Sequence, residues 1–240
     1  MRAMNSTVLM CVTGVLVLGA GGGGSGAANH SFTSMATAID PSDQARAEAM
    51  VITSADLPAA WTSTPDDAER NRDARCVDGS GLTESGRAFS DVLARTDAGY
   101  DIHMQSQATV FESEDQARTW FARLRDDAVV ACVRRAFNDE QKRDADAGIR
   151  FDVTGAGNLP VANVGDESTG IRLTIDVTGP AQTIPAYLDY IFVRVGDATS
   201  GMILFDVRQP FDETETMSGS PTTADLAAVL ADRMESARRS

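Results

Sequence analysis

Cys76 and Cys132 are the residues with the clearest chemical capacity in this sequence. The third cysteine, Cys11, lies in an apolar stretch near the N-terminus, and removal of that stretch would leave an even number of cysteines. An even number in an exported chain favours a disulfide between Cys76 and Cys132. Two buried free thiols are the alternative. We expect the disulfide if the chain is exported.

Histidine, a common metal ligand and general base, is scarce in this chain. His30 and His103 are its only two histidines. Neither has a second ligand residue three or four positions away, so no metal site is predicted. His103 falls within a predicted strand, where we expect its side chain on the outer face, and no Ser/His/Asp set assembles around it.

Adjacent acids are the remaining candidates for general acid–base chemistry. They occur at Asp66–Asp67, Asp126–Asp127 and Asp166–Glu167. Two carboxylates across a cleft would support an extracytoplasmic hydrolase. With 35 acidic and 21 basic residues and a net charge of -14, however, neighbouring acids are ordinarily solvated surface. We therefore assign no catalytic residue, expect no cofactor, and exclude nucleic acid as a partner, because this charge repels phosphates.

The N-terminal stretch predicts the compartment. Residues 8–20 form an apolar run, and small residues follow, with plausible cleavage positions at 26–28. The glycines at 19–24 match G-x-G-x-x-G, but no amphipathic helix follows them, as a dinucleotide-binding loop requires. We predict a signal peptide over residues 1–28 and an extracytoplasmic location. An uncleaved N-terminal anchor and a nucleotide loop are the alternatives.

Alternating and hairpin patterns predict a sheet. Polar and apolar residues alternate over Tyr100–Phe111. Two more strands, Tyr187–Val195 and Thr199–Arg208, are joined by a tight Gly-Asp-Ala connection. Shorter strands are predicted at 149–154 and 170–177. The short connections indicate antiparallel pairing.

Three helices accompany these strands. The first runs from Pro41 to about Met50, with Asp40 or Ser42 as its cap. The last begins near Thr222 or Thr223. Ser113 caps the middle helix, whose apolar stripe is predicted at Ala117, Trp120, Phe121, Leu124, Ala128, Ala131 and Cys132.

The order of these elements predicts the fold class. A helix, a strand, a helix, a run of strands and a final helix indicate a single α+β domain over residues 41–240. Its antiparallel sheet would have the helices packed mainly on one face. A flexible linker is predicted over residues 29–40.

Four segments carry a resemblance to a known group of proteins. They are ITSADLPAAW (Ile52–Trp61), VFESEDQARTWFARLRDDAVVAC (Val110–Cys132), LPVANVGDESTGIRL (Leu159–Leu173) and YIFVRVGDATSGMILF (Tyr190–Phe205). In this order they resemble actinobacterial exported proteins related to the PknH-like extracellular sensor domain. The resemblance implies an antiparallel sheet with packed helices forming a cleft, and a role in sensing or binding an unidentified ligand outside the cytoplasm.

The expected function is therefore a secreted or cell-envelope ligand-binding, sensor-like module without catalytic activity. Its partner would be an envelope lipid, glycan or small molecule, or an envelope protein. The resemblance transfers no ligand-binding residues. A carboxylate-dependent hydrolase and an envelope protein-interaction component are the alternative functions.

Overall fold

The computed structural model describes residues 36–37, 39–65, 76–97, 100–143, 149–180, 182–207 and 221–240. The predicted signal peptide (1–28) and most of the predicted linker (29–40) lie outside the described residues. The acidic pair at 66–67 and His30 also lie outside them.

One nine-stranded sheet runs through the described residues. Its strands are β1 (Ala36–Thr37), β2 (Thr62–Thr64), β3 (Thr83–Phe89), β4 (Val92–Asp97), β5 (Tyr100–Phe111), β6 (Arg150–Asn158), β7 (Glu167–Thr178), β8 (Thr183–Val195) and β9 (Ala198–Val207). The spatial order is β1-β3-β5-β9-β8-β7-β6, and β2 pairs with β4, which also pairs with β5. The short β1–β3 pair is parallel and the other pairs are antiparallel.

The β8–β9 hairpin forms as its sequence predicts. Gly196 and Asp197 make the two-residue turn, and Gly196 has a φ of 60°. That left-handed conformation strains residues with a side chain and is readily adopted by glycine. The hairpin places β8 and β9 at the centre of the sheet.

Four helices pack against this sheet in the described residues. They are α1 (Pro41–Met50), α2 (Glu114–Leu124), α3 (Asp127–Arg143) and α4 (Thr223–Arg239). The predicted cap of the first helix is confirmed, since Asp40 accepts from the Ser42 N–H at 2.8 Å. The last helix begins where it was predicted, and Thr222 caps it by accepting from the Asp225 N–H at 3.1 Å. Proline suits the first position of α1 because that position has no helical hydrogen bond to lose.

The single middle helix predicted from sequence is two helices. The chain turns at Arg125 and Asp126, and the Asp126 carboxylate accepts from the Ala128 N–H at 2.8 Å, which caps the start of α3. The turn changes the phase of the apolar stripe. Val129, Val133 and Phe137 are consequently buried, and Ala128 and Ala131, predicted to face the core, are exposed.

The α+β class and the antiparallel sheet are confirmed, but the helices are distributed differently from the prediction. Helices α2 and α3 contribute to a hydrophobic core on one face of the sheet. Helices α1 and α4 contribute to a second core on the opposite face. The alternating residues of β8 supply both cores: Leu188 and Tyr190 belong to the first, and Ile191 and Val193 to the second. Both faces of the central strands are therefore buried.

Candidate ligand-binding groove

A groove opens on the α2 face of the sheet, where one row of side chains crosses four strands. The strand register aligns Phe89 of β3, Gln107 of β5, Gly201 of β9 and Phe192 of β8. Glycine contributes no side chain, so the row is low at Gly201, where the Phe192 ring lies over the backbone. The resulting groove is open to solvent, and its enclosed space is small.

Gly201 also determines how closely the Phe192 ring, which forms an aromatic wall of the groove, approaches strand β9. A Cβ at this position would lie 2.9 Å from Cδ1 of Phe192, closer than atoms in contact allow. The Phe192 ring can therefore lie against the backbone of β9 only because residue 201 is glycine.

Helix α2 closes one side of the groove with Trp120. The Trp120 ring packs edge-on to Phe192, with 6.2 Å between ring centroids, and also lies 6.2 Å from Phe111. Such tilted aromatic pairs are favoured by the ring quadrupoles. Ser113 positions this helix, because its hydroxyl accepts from the Gln116 N–H at 3.3 Å.

Polar side chains line the groove beside this row. Gln105 lies next to Gln107 along the same face of β5, and its amide donates to the Ser90 carbonyl at 3.3 Å. Thr199 lies on β9, as does the half-buried Ile203. No charged side chain of the described residues lines the groove. The site therefore combines aromatic walls with neutral hydrogen-bonding groups, which is typical of small-molecule sites.

Arg194 lies beside the groove, and its charge is neutralised. This residue pairs with Thr199 across the strands, and its side chain is 5% exposed. Its guanidinium donates to Glu167 at 2.8 Å, to Asp166 at 3.2 Å and to the Gly196 carbonyl at 2.9 Å. A buried cation requires such partners.

Two of the acidic pairs considered for catalysis lie within the described residues, and they form ion pairs or lie on the surface. Asp166 and Glu167 share Arg194, and Glu167 also pairs with Arg125 at 2.8 Å. Asp126 and Asp127 are exposed at the turn between α2 and α3. None of these four carboxylates lines the groove.

His103 departs from its predicted position. It is 7% exposed, although the sequence pattern placed it on an outer face. Successive residues of β5 do alternate between the two faces of the sheet, and His103, Gln105 and Gln107 share one face as predicted. That face is turned towards the α2 side of the molecule, so its side chains are partly or fully buried.

The two cysteines are joined by a disulfide in the structure, with their Cα atoms 5.4 Å apart. The bond fixes the segment before β3 to α3. Arg123 of α2 reinforces this attachment by donating to the carbonyls of Asp78 and Ser80 at 2.7 and 2.9 Å.

A second polar cluster, on the opposite face, is internally satisfied. Arg172 donates two hydrogen bonds to the buried Asp189, at 2.6 and 2.5 Å, and its guanidinium lies 4.9 Å from the Tyr187 ring centroid. The hydrogen bonds to Asp189 raise the pKa of Arg172 above its usual value. We interpret this pair as structural.

Two other properties of the described residues bear on function. None of their helices has both the length and the apolar character that crossing a membrane requires. No group of three or more His, Cys, Asp or Glu side chains is placed to hold a metal ion within these residues.

Solved structures that are similar to this chain include two from Mycobacterium tuberculosis. One is the extracellular domain of PknH from Mycobacterium tuberculosis, at 12% identity and a TM-score of 0.36, covering 82% of this chain and 97% of that one. The other is LpqN, involved in cell envelope biogenesis of Mycobacterium tuberculosis, at 12% identity and a TM-score of 0.31, covering 73% and 78%. The first is a domain of the kind that the sequence resemblance names. No family model and no curated protein matches the chain.

Sequence reasoning missed the groove because its residues come from distant strands. The alternating pattern of β5, which places Gln105 and Gln107 on one face, was one available signal. Phe89, Phe192 and Gly201 join them only through strand register. Trp120 was predicted on the core stripe of its helix, and it is both buried and part of the groove wall.

Proposed function

We propose that this protein is a ligand-binding, sensor-like module of the cell envelope or the secreted fraction, without catalytic activity. The groove beneath Trp120 is the observation that carries the proposal. Its lining among the described residues is uncharged and partly aromatic, and it includes neutral polar side chains. Sites of this composition hold and orient small molecules.

The disulfide supports a location outside the cytoplasm. Disulfides persist in oxidising compartments and are rare in the cytosol, where thiols are kept reduced. The Cys76–Cys132 bond therefore agrees with the predicted export signal at residues 1–28. We propose an envelope lipid, glycan or small molecule as the ligand.

The arrangement of carboxylates favours binding over hydrolysis. General acid–base cleavage of a glycosidic bond needs two carboxylates facing each other across the substrate. Asp166 and Glu167 instead share one guanidinium, and neither lines the groove. The proposed role is therefore retention of a ligand rather than its conversion.

The proposal is tested by recovering a ligand from protein that is purified from its native cells. We expect native mass spectrometry of the purified protein to show a bound species that denaturation releases. The Gln107→Trp variant should lose that species, because the larger ring fills the groove at a half-buried position.

Gln182→Trp is the matched control, since it makes the same substitution at an exposed turn residue. It should retain the species. Equal retention by both variants, or an empty wild-type protein in repeated preparations, would contradict the proposal. Co-purification of a protein that survives Gln107→Trp would instead favour an interaction component.

A further inference from the structure

The two edges of the sheet differ in how their outer backbone groups are paired. At the β3 edge, the Ser85 carbonyl accepts from the Asp40 N–H at 2.8 Å, and the Arg87 N–H donates to the Gln44 side chain at 3.1 Å. Strand β6 forms the other edge, and no strand of the described residues pairs with its outer side. An edge strand with free N–H and C=O groups is a template for pairing with another strand.

The pairing of β6 with β7 identifies the free groups. The Leu159 N–H donates to the Gly170 carbonyl at 2.9 Å, so Leu159 is bonded towards β7. Along an antiparallel pair, successive residues alternate between bonding the neighbouring strand and pointing away from it. The N–H and C=O groups of Ala156 and Asn158 therefore point to the open edge. Both residues are exposed, and no other described residue binds these groups.

The free part of this edge has a limit on each side. On the N-terminal side, the Val153 carbonyl accepts from Arg134 of α3 at 3.4 Å, and the strand register shifts between Val153 and Gly155. On the C-terminal side, Pro160 has no N–H to donate. The segment that another strand can pair with is thus centred on Gly157.

This segment is complementary to itself. When two copies lie antiparallel about Gly157, Ala156 of one copy faces Asn158 of the other on both sides of the axis. Each of these pairs would exchange two main-chain hydrogen bonds. The outward groups of Ala156 and Asn158 would then be paired in both copies, as a two-fold interface requires when each copy presents the same surface.

Charge and space at this edge also suit a second copy. Copies with a net charge of -14 repel each other, but no charged residue occurs from Val153 to Gly165. A Cβ at Gly157 would meet no atom within 4 Å, so nothing crowds the backbone at the axis. The two strands can therefore approach here without bringing carboxylates together.

We propose that two copies of this chain pair through β6 and form a dimer with one continuous sheet. The two-fold axis passes through Gly157, normal to the sheet. Because main-chain hydrogen bonds over a short segment hold the copies together, the dimer is weak and reversible. An axis in this direction also leaves the grooves of both copies open on the same side of the dimer.

Sedimentation equilibrium of the purified protein, from micromolar to near-millimolar concentration, tests the proposal. We expect the average mass to rise reversibly from that of a monomer towards that of a dimer. Amide hydrogen exchange followed by NMR should show slower exchange of the Ala156 and Asn158 N–H groups at the higher concentration. The Leu159 N–H, which is already bonded within one copy, should be protected at both concentrations.

Two variants of Asn158 separate the main-chain bonds from the side chain. Asn158→Pro removes the outward N–H and leaves the bonds to β7 intact, so we expect the dimer dissociation constant to rise at least tenfold. Asn158→Ala keeps the N–H and should change that constant by less than threefold.

A second pair of variants at Gly157 tests the axis even if the proline variant does not fold. Gly157→Lys places like charges directly opposite each other, and we expect it to abolish the dimer. Gly157→Ala adds no charge and should retain the dimer. Gly179→Lys makes the same charge change in the β7–β8 turn and should also retain it.

A monomer mass at every concentration would overturn the proposal. So would a dimer that Asn158→Pro and Gly157→Lys leave as stable as their controls do. Protection of Ala156 and Asn158 that requires an added envelope extract would also overturn it, because a partner protein would then occupy this edge.

Discussion

At the scale of single residues, Asp56 shows how one carboxylate connects distant parts of the chain. It accepts from the Thr53 N–H and hydroxyl at 2.7 and 2.8 Å, and from Arg233 of α4 at 2.8 Å. Partial burial raises the pKa of Asp56, but the hydrogen bonds from Thr53 and Arg233 outweigh this effect and leave the pKa below its usual value. The folded protein therefore stabilises the ionised carboxylate.

This lowered pKa predicts a loss of stability in acid. Because the pKa is lower in the folded than in the unfolded state, the contribution is present above the unfolded value of about 4 and is lost as the pH falls through the folded value. Asp56→Asn should reduce the free energy of unfolding by about 1 kcal/mol at pH 7, since the site is partly solvated. Urea denaturation between pH 7 and pH 2.5 measures this.

The difference between wild type and Asp56→Asn should shrink towards zero at the acid end of that range. Arg233→Met is the control, because it removes the ion pair and retains the Thr53 hydrogen bonds. It should show a smaller loss at pH 7. A difference that stays constant with pH would rule out this titration.

At the scale of elements, α1 lies unusually close to β3. A Cβ on Gly86 would fall within the contact distance of the backbone of Asp43, in the first turn of the helix. Arg46 of the same helix binds Asp197 in the β8–β9 turn at 2.7 Å. The absence of a side chain at residue 86 therefore sets the depth at which α1 packs on the sheet.

Gly86→Ala should lower the free energy of unfolding by about 1–3 kcal/mol, because the added methyl group must displace the helix. Gly157→Ala, on the edge strand β6, is the matched control, since a Cβ there meets no atom within 4 Å. Chemical denaturation should find it within about 0.5 kcal/mol of wild type. Equal effects of both substitutions would refute the close approach as the cause.

At the scale of the whole molecule, the segment before β3 contributes Val77 and Leu82 to the core on the α2 face and is also fixed by a disulfide and by polar contacts. The Cys76–Cys132 disulfide spans 56 positions of the sequence and joins that segment to α3. The hydrogen bonds from Arg123 attach the same segment to α2. A covalent bond and polar contacts thus act together on one region.

Replacing both cysteines with serine should lower the free energy of unfolding by about 2–4 kcal/mol, because the unfolded chain gains the freedom of an open loop. Guanidinium denaturation of the double variant and of the oxidised wild type measures this. Arg123→Met serves as the comparison and should cost less, since it removes only two hydrogen bonds. An unchanged midpoint in the double variant would contradict a stabilising role for the bond.

Much of the local structure was predictable because its causes are local. The caps at Asp40 and Thr222 follow from side chains that accept hydrogen bonds from nearby N–H groups. The β8–β9 turn follows from a glycine that adopts a positive φ. The break between α2 and α3 also has a local cause, because Asp126 caps the start of α3. In the sequence, however, an adjacent pair of acids is equally consistent with a solvated surface.

The sequence by itself determined which residues of each strand share a face, where helices α1 and α4 begin, and that two cysteines were available to pair. It did not determine what covers each face, because an alternating pattern has the same period whether one or both sides are buried. Tertiary structure alone decided that His103 is buried. It also decided that Phe89, Gln107, Gly201 and Phe192 form one row beside Trp120. Strand register and helix packing bring together residues more than a hundred positions apart, and no local pattern contains that information.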